Sequence, residues 1–167
     1  MKRHVLSVLV SNQSGVLSRV AGLFSRRGFN IDSLSVGETE HEDISRMTIV
    51  VTGDDLVLDQ ITKQLDKLHD VLYIKELTKD AAVYRELLLI KVQATNENRA
   101  AIIEITDIFR AKIIDVASES LVVEVTGDQA KLEAFINLIE PYGIKEFTRT
   151  GLTALQRGNK VIKDNIK

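Results

Sequence analysis

The sequence predicts an α+β protein built from two βαββαβ units, each a four-stranded antiparallel sheet with two helices on one face. Two observations carry the prediction. Apolar periodicity runs strand, helix, strand, strand, helix, strand, and then repeats that order. The tetrapeptide Val51-Thr52-Gly53-Asp54 returns as Val125-Thr126-Gly127-Asp128. Each copy is followed by a helical segment and a similar strand, Ile74-Lys75-Glu76-Leu77 and Ile144-Lys145-Glu146-Phe147. Lys79-Asp80-Ala81 is the joint, so the units are read as 1–78 and 82–167.

In the first unit, Arg3 to Val10 is a short apolar run with Val5, Leu6, Val8, Leu9 and Val10, and reads as a buried strand. From Val16 the period changes, with Val16, Leu17, Val20, Ala21, Leu23 and Phe24 along one helical face. Gly28 stands where a helix C-cap is expected, after Arg26 and Arg27, whose charge suits a helix C-terminus. Ile31, Leu34 and Val36 mark a second strand, Glu38 to Asp43 a polar hairpin connection, and Met47 to Thr52 a third strand. Gly53-Asp54-Asp55 caps a helix carrying Leu56, Ile61, Leu65 and Leu68, and Val71 to Leu77 is the fourth strand. The second unit reads as a strand over Leu87–Ala94, a helix over Arg99–Arg110, a hairpin of Ile113–Ala117 and Leu121–Thr126, and a helix over Asp128–Ile139. Leu87 and Leu89 alternate away from Leu88 and Ile90. That strand is apolar on both faces, and its second face is expected to be covered by the other unit or another subunit.

Composition excludes several function classes. The 167 residues suffice to bury a core, and the formal net charge of -2 with 28% charged residues gives a mixed surface. A nucleic-acid partner calls for a basic stripe and stacking aromatics, whereas aromatics are 5% and Trp is absent. No cysteine is present for a disulfide, a thiolate nucleophile or a thiolate metal site. Met1-Lys2-Arg3-His4 leads into a strand without a signal-peptide pattern, and no apolar run approaches the ~18 residues that span a bilayer. The expected location is cytoplasmic.

The candidate site is Asn12-Gln13-Ser14-Gly15-Val16-Leu17 together with Phe29-Asn30-Ile31-Asp32. A helix N-terminus presents unsatisfied N–H groups and partial positive charge, which suit a carboxylate. Gly15 has no side chain to keep that carboxylate away from the backbone. Singly, Gly15 is also an ordinary turn glycine and Asn30 an ordinary turn residue. The repeat separates the readings. Asn96-Glu97-Asn98-Arg99 stands at the corresponding turn, and Ile113 replaces Asn30 while Asp115 matches Asp32. The second unit keeps the frame and loses both distinctive elements, so a binding site belongs to the first.

Three stretches resemble the regulatory (small) subunit of acetohydroxyacid synthase, also called acetolactate synthase: Asn12 to Val20, Leu23 to Leu34, and Ser45-Arg46-Met47-Thr48-Ile49. The resemblance continues through Ile108 to Val116 and Thr150-Gly151, and covers essentially the whole chain. It implies an N-terminal ACT domain, an amino-acid-binding module, followed by a second unit of the same ferredoxin-like kind associated with activating the catalytic large subunit. It implies a homodimer through the ACT domains, with valine or another branched-chain amino acid bound at the interface. By position, Asn12, Gly15, Val16 and Leu17 would come from one subunit and Asn30 and Ile31 from the other, with Gly37 keeping its strand close to the ligand. It implies no cofactor on this chain. Thiamine diphosphate, FAD and magnesium are expected in the catalytic partner.

The remaining residues take ordinary readings. His4, His41 and His69 are scattered, and His41 beside Glu40, Glu42 and Asp43 reads as a solvated loop. Asp54-Asp55 and Asp128 read as helix caps, not as catalytic carboxylates. The basic tail from Gln156, with Arg157, Lys160, Lys163 and Lys167, reads as solvated, with docking onto a partner as the second reading. A free-standing amino-acid sensor for another enzyme or a transcription factor shares the pocket logic and differs in its partner. An RNA-recognition sheet needs exposed aromatics where these strands carry Val8, Ile49 and Val123, and no nucleophile–base pair or metal cluster emerges for independent catalysis.

Overall fold

The computed structural model describes residues 1–166, and Lys167 lies outside them. The chain forms two compact units, one of residues 1–83 together with the segment beginning at Leu152, the other of residues 84–151. The first unit contains β1 (Lys2–Ser11), α1 (Val16–Arg26), β2 (Ser33–Glu38), β3 (Ile44–Gly53), α2 (Asp55–Asp66) and β4 (Val71–Glu76). Its antiparallel sheet has the order β2-β3-β1-β4. The second contains most of β5 (Ala82–Gln93), then α3 (Arg99–Ile108), β6 (Lys112–Val116), β7 (Ser120–Gly127), α4 (Gln129–Ile139) and β8 (Ile144–Arg149), with the sheet order β6-β7-β5-β8. Both sheets match the predicted βαββαβ pattern.

Strand alternation decides what each core contains. Leu6, Val8 and Val10 on β1 and Met47, Ile49 and Val51 on β3 face the same side as Val16, Val20, Leu23 and Phe24 of α1 and Ile61 and Leu65 of α2. The second core repeats this with Leu88, Ile90 and Val92, Leu121, Val123 and Val125, Ile102, Leu132, Phe135 and Ile139. There Phe109 meets Phe135 edge to face, with centroids 5.4 Å apart. Leu87 and Leu89, on the other face of β5, are half-buried.

The repeated tetrapeptide has one physical role in both units. Asp54 accepts from the Val57 N–H at 2.8 Å and Asp128 from the Lys131 N–H at 3.0 Å, each capping the helix that follows. The preceding glycine is demanded by close approach: a Cβ on Gly53 would stand 2.9 Å from Val57, and one on Gly127 would run into Lys131. The first helices also close alike. After α1, Gly28 adopts φ 68, with the Phe29 N–H donating to Phe24 O. After α3, Arg110 adopts φ 52, with the Ala111 N–H donating to Thr106 O. The turn is the same; one copy lacks the glycine that suits it.

The end of the chain corrects the division into units, while the charged residues of the tail are exposed as expected among the described residues. The segment from Leu152 onward packs with the first unit, so the division differs from the 1–78 and 82–167 read from sequence. The tail from Gln156 is seated on the chain itself: Ile162, within a 3-10 turn over Ile162–Asn165, is 3% exposed. Periodicity missed the strand β9 (Thr153–Gln156), which pairs with β5, while the Arg157 N–H donates to Ala81 O at 2.8 Å. The cause lies on the outer face of the first sheet, opposite its helices, where Val5, Leu9 and Val50 are buried beside Ser7 and Thr48. Leu152 lies on that face. Its N–H donates to Ser33 Oγ (2.9 Å) and its C=O accepts from Ser35 Oγ (2.8 Å), two hydroxyls that alternation places on one side of β2.

An L-residue in the left-handed region costs about 1–2 kcal/mol, which glycine avoids at some expense in chain entropy. Arg110→Gly is therefore expected to stabilise the second unit by about 0.5–1 kcal/mol. Parallel denaturant titrations of the two proteins check this, and an unchanged midpoint would show that the turn carries no strain.

Candidate functional site

The loop from β1 to α1 is fixed by its backbone. The Ser11 N–H donates to Asp70 O at 2.9 Å and the Asn12 N–H to Asp43 O at 2.8 Å. The Asn12 amide then ties this loop to the β2–β3 hairpin, donating to Glu38 Oε1 (3.2 Å) and Glu42 O (2.8 Å). Both donors of Asn12 are thus in use, and its Oδ1 has no hydrogen bond to another described residue. Gly15 follows as the N-cap of α1 with φ 84, and no side chain caps the helix. The Leu17 and Ser18 N–H groups find no acceptor among the described residues.

Sequence alone did not single out Arg19 for this place. Its Nη1 lies 3.0 Å from where a Cβ on Gly15 would stand, and its Nε donates to Asp70 Oδ2 at 2.6 Å. Asp70 thereby steers the guanidinium toward the helix N-terminus, where its remaining N–H groups stand beside the exposed amides. The available signal was the four-residue spacing, since helical side chains lean toward the N-terminus of their helix.

The predicted residues separate into two groups. Val16 is 3% exposed and its side chain belongs to the core, which leaves its backbone at the helix start as the part that faces the turn. Leu17 is 47% exposed beside it. Asn30 donates to Asp32 Oδ1 at 2.7 Å, while Thr52 donates to Asp32 Oδ2, and Ile31 packs partly against the core. Asn12 meets the far end of β2 at Glu38, whereas Asn30 and Ile31 precede its start at Ser33. At about 3.3 Å per residue, the length of β2 holds these groups on the order of 20 Å apart within one chain. Gly37 is exposed on β2, and a Cβ there would meet nothing within 4 Å, so nothing inside the chain requires a glycine. β2 is an edge strand, with backbone groups open to a further strand.

The corresponding turn of the repeat is built differently. Ahead of α3, the Thr95 N–H donates to Asn98 Oδ1 (2.6 Å) and the Asn98 N–H to Thr95 Oγ1 (3.3 Å). Arg99 donates into Ala117 O and Ser118 O. Neither helix has a side-chain cap, but an asparagine tied to its own loop stands at the start of α3 where a bare glycine stands at the start of α1.

Other charged groups have local explanations. Lys163 Nζ lies 2.9 Å from Glu40 Oε1. That hydrogen bond holds the Glu40 carboxyl below its ordinary range and raises the Lys163 ammonium above its own. Burial lowers the Arg46 guanidinium, which donates to Ser7 Oγ at 3.1 Å. His4 is buried with Nδ1 2.7 Å from Glu76 Oε1. In the second unit Arg149 holds Glu86 through two bonds of 2.9 Å. No three His, Cys, Asp or Glu side chains converge as metal ligands among the described residues, and no helix there is long and apolar enough to cross a membrane.

Comparison with known proteins gives one answer over both units. A family model described as the AHAS small subunit-like ACT domain matches residues 6–73, and one described as the small subunit of acetolactate synthase matches residues 85–158. The chain is 57% identical over 158 residues to the probable acetolactate synthase small subunit of Archaeoglobus fulgidus, covering 95% of this chain and 99% of that one. It is 55% identical over 161 residues to the acetolactate synthase small subunit of Mycobacterium bovis, covering 96% of each. The crystal structure of the acetolactate synthase small subunit from Thermotoga maritima superposes with a TM-score of 0.89 at 44% identity, over 96% of this chain and 100% of that one.

The two glycines of the site make opposite demands. Gly15→Ala is expected to cost about 1–2 kcal/mol, because its φ is positive and the new Cβ displaces the tip of Arg19. Gly37→Ala is expected to stay within about 0.5 kcal/mol of the parent. Thermal melts of the two variants measure the contrast, and equal losses would contradict it.

Proposed function

The chain belongs to the family of acetolactate synthase small subunits, and from that premise we propose that it activates a catalytic large subunit and makes it sensitive to a branched-chain amino acid, valine first among them. The condensation of 2-oxo acids, with its thiamine diphosphate, FAD and magnesium, belongs to the large subunit. This chain contributes a switch.

The observation that carries the reading is the residue at the start of each first helix: α1 begins at a bare Gly15 with φ 84, flanked by the Arg19 guanidinium, while at the start of α3 the Asn98 side chain occupies the turn and accepts from the Thr95 N–H. The effector carboxylate would lie on the backbone amides from Gly15 to Leu17, and the free Asn12 Oδ1 would accept from its ammonium group. Leu17 would meet the branched side chain. Asn30 and Ile31 are too far along β2 to join this group in one chain. Antiparallel pairing of two β2 edges about a twofold axis brings the start of one strand to the end of the other. Asn30 and Ile31 of the partner subunit would then complete the pocket, with Gly37 leaving room between the strands. Because both subunits would hold the ligand, valine would strengthen the dimer and bias the second units. Couplings of this kind amount to about 1–3 kcal/mol.

Calorimetric titration with valine, run alongside sedimentation of the same samples, is expected to show binding and a tighter dimer. Absence of binding, with and without the large subunit, would overturn the effector reading. Gly15→Asp sets a carboxylate against the ligand's own and is expected to weaken valine binding by roughly 100-fold or more. Activation of the large subunit should largely remain. Undiminished valine sensitivity in that variant would show that the ligand binds elsewhere.

A further inference from the structure

The return segment touches the first unit at the places from which the candidate site is built. At one end, Leu152 is held through both backbone groups by Ser33 and Ser35, on the strand that links the Asn30 group to Gly37. At the other, Lys163 pairs with Glu40 in the β2–β3 hairpin, and that hairpin also supplies the Asn12 amide with Glu38 and Glu42. Leu152, Ala154 and Ile162 are the buried anchors between. The middle of the segment is held by backbone, through the pairing of β9 with β5 and the Arg157 N–H on Ala81 O, while the pair at its far end is weak, since the Lys163 and Glu40 side chains are 43% and 58% exposed. Lys163 and Ile166 line a small hollow together with Leu9, Thr39, His41 and Arg46, so the far end of the segment lies beside the β2–β3 hairpin.

We propose that residues 152–166 act as a detachable strap, and that its seating on Ser33, Ser35 and Glu40 is linked to occupancy of the effector site built on the same strand and hairpin. The inference rests on the effector reading above and adds the element through which that site is regulated. A ligand held by Asn12 and β2 fixes the hairpin in one position, and the strap has its full set of contacts in that position. Linkage runs both ways: valine favours the seated strap, and a seated strap favours valine. The chain gives the strap a mechanical connection. It enters from β8, where the Thr150 N–H donates to Leu87 O and Arg149 is clamped by Glu86, and it turns at Gly151 with φ 84. Movement of the strap therefore begins one residue beyond a firmly held strand end.

The test uses the full chain and valine. Amide hydrogen exchange over 152–166 is expected to slow when valine saturates the protein. Lys163→Glu is expected to weaken valine binding about 2- to 5-fold, and Glu40→Lys in the same chain to restore it. Ser33→Ala with Ser35→Ala, which leaves Glu40 and Asn12 untouched, is expected to weaken valine at least as much. If valine binds the parent while exchange of the strap stays unchanged and the variants bind as the parent does, the linkage is overturned and the effector reading stands. If the parent binds no valine, both fall.

Discussion

A sheet that buries residues on both faces sets the terms for this protein. The helices α1 and α2 cover one face of the first sheet, over Leu6, Val8, Val10, Met47, Ile49 and Val51. Val5, Leu9 and Val50 look the other way and are buried as well. Exposed apolar area of that extent is costly, at roughly 25 cal/mol for each Å² left in water. A single βαββαβ unit offers no third layer. Part of that layer comes from residues found far along the chain, so an N-terminal unit of the expected topology is completed by a C-terminal segment.

The duplicated frame separates what the fold needs from what a site needs. Asp54 and Asp128 cap α2 and α4 in one geometry, and the turns after α1 and α3 close through equivalent hydrogen bonds even though one uses Gly28 and the other Arg110. These features follow from building the unit at all. The turns before α1 and α3 do not match. Ahead of α3 the Asn98 side chain ties down its own turn through Thr95. A bare Gly15 at φ 84 in the same place is a departure that stability alone does not favour.

Much of this was legible in the residues themselves. Element order, the Asp54 and Asp128 caps and the Gly28 turn follow from local periodicity and backbone chemistry. Long-range geometry was less accessible. Asn12 and Asn30 look alike in sequence, but β2 stands between them. Val16 belongs to the motif and yet its side chain points inward, because the helical face is set by packing. The steering of Arg19 by Asp70 joins residues 51 positions apart, and no local pattern announces it. The return of the chain to the first unit was not legible because the exposed charges Arg157, Lys160 and Lys163 dominate the tail, while the apolar anchors along the segment, Leu152, Ala154 and Ile162, are too widely spaced to register as a period.

The return of the chain to its starting unit also bears on how the molecule is made. Synthesis delivers residues 1–83 first, then the continuous unit 84–151, and only afterwards the segment that packs with the first. The unit that emerges earliest from the ribosome is therefore the last to be finished. While the intervening residues are being added, Val5, Leu9 and Val50 await the segment that seats on their side of the sheet. The second unit, whose residues are consecutive, can fold to completion before the first. Nascent chains of this protein thus pass through a stage in which a well-paired sheet has these three apolar side chains uncovered.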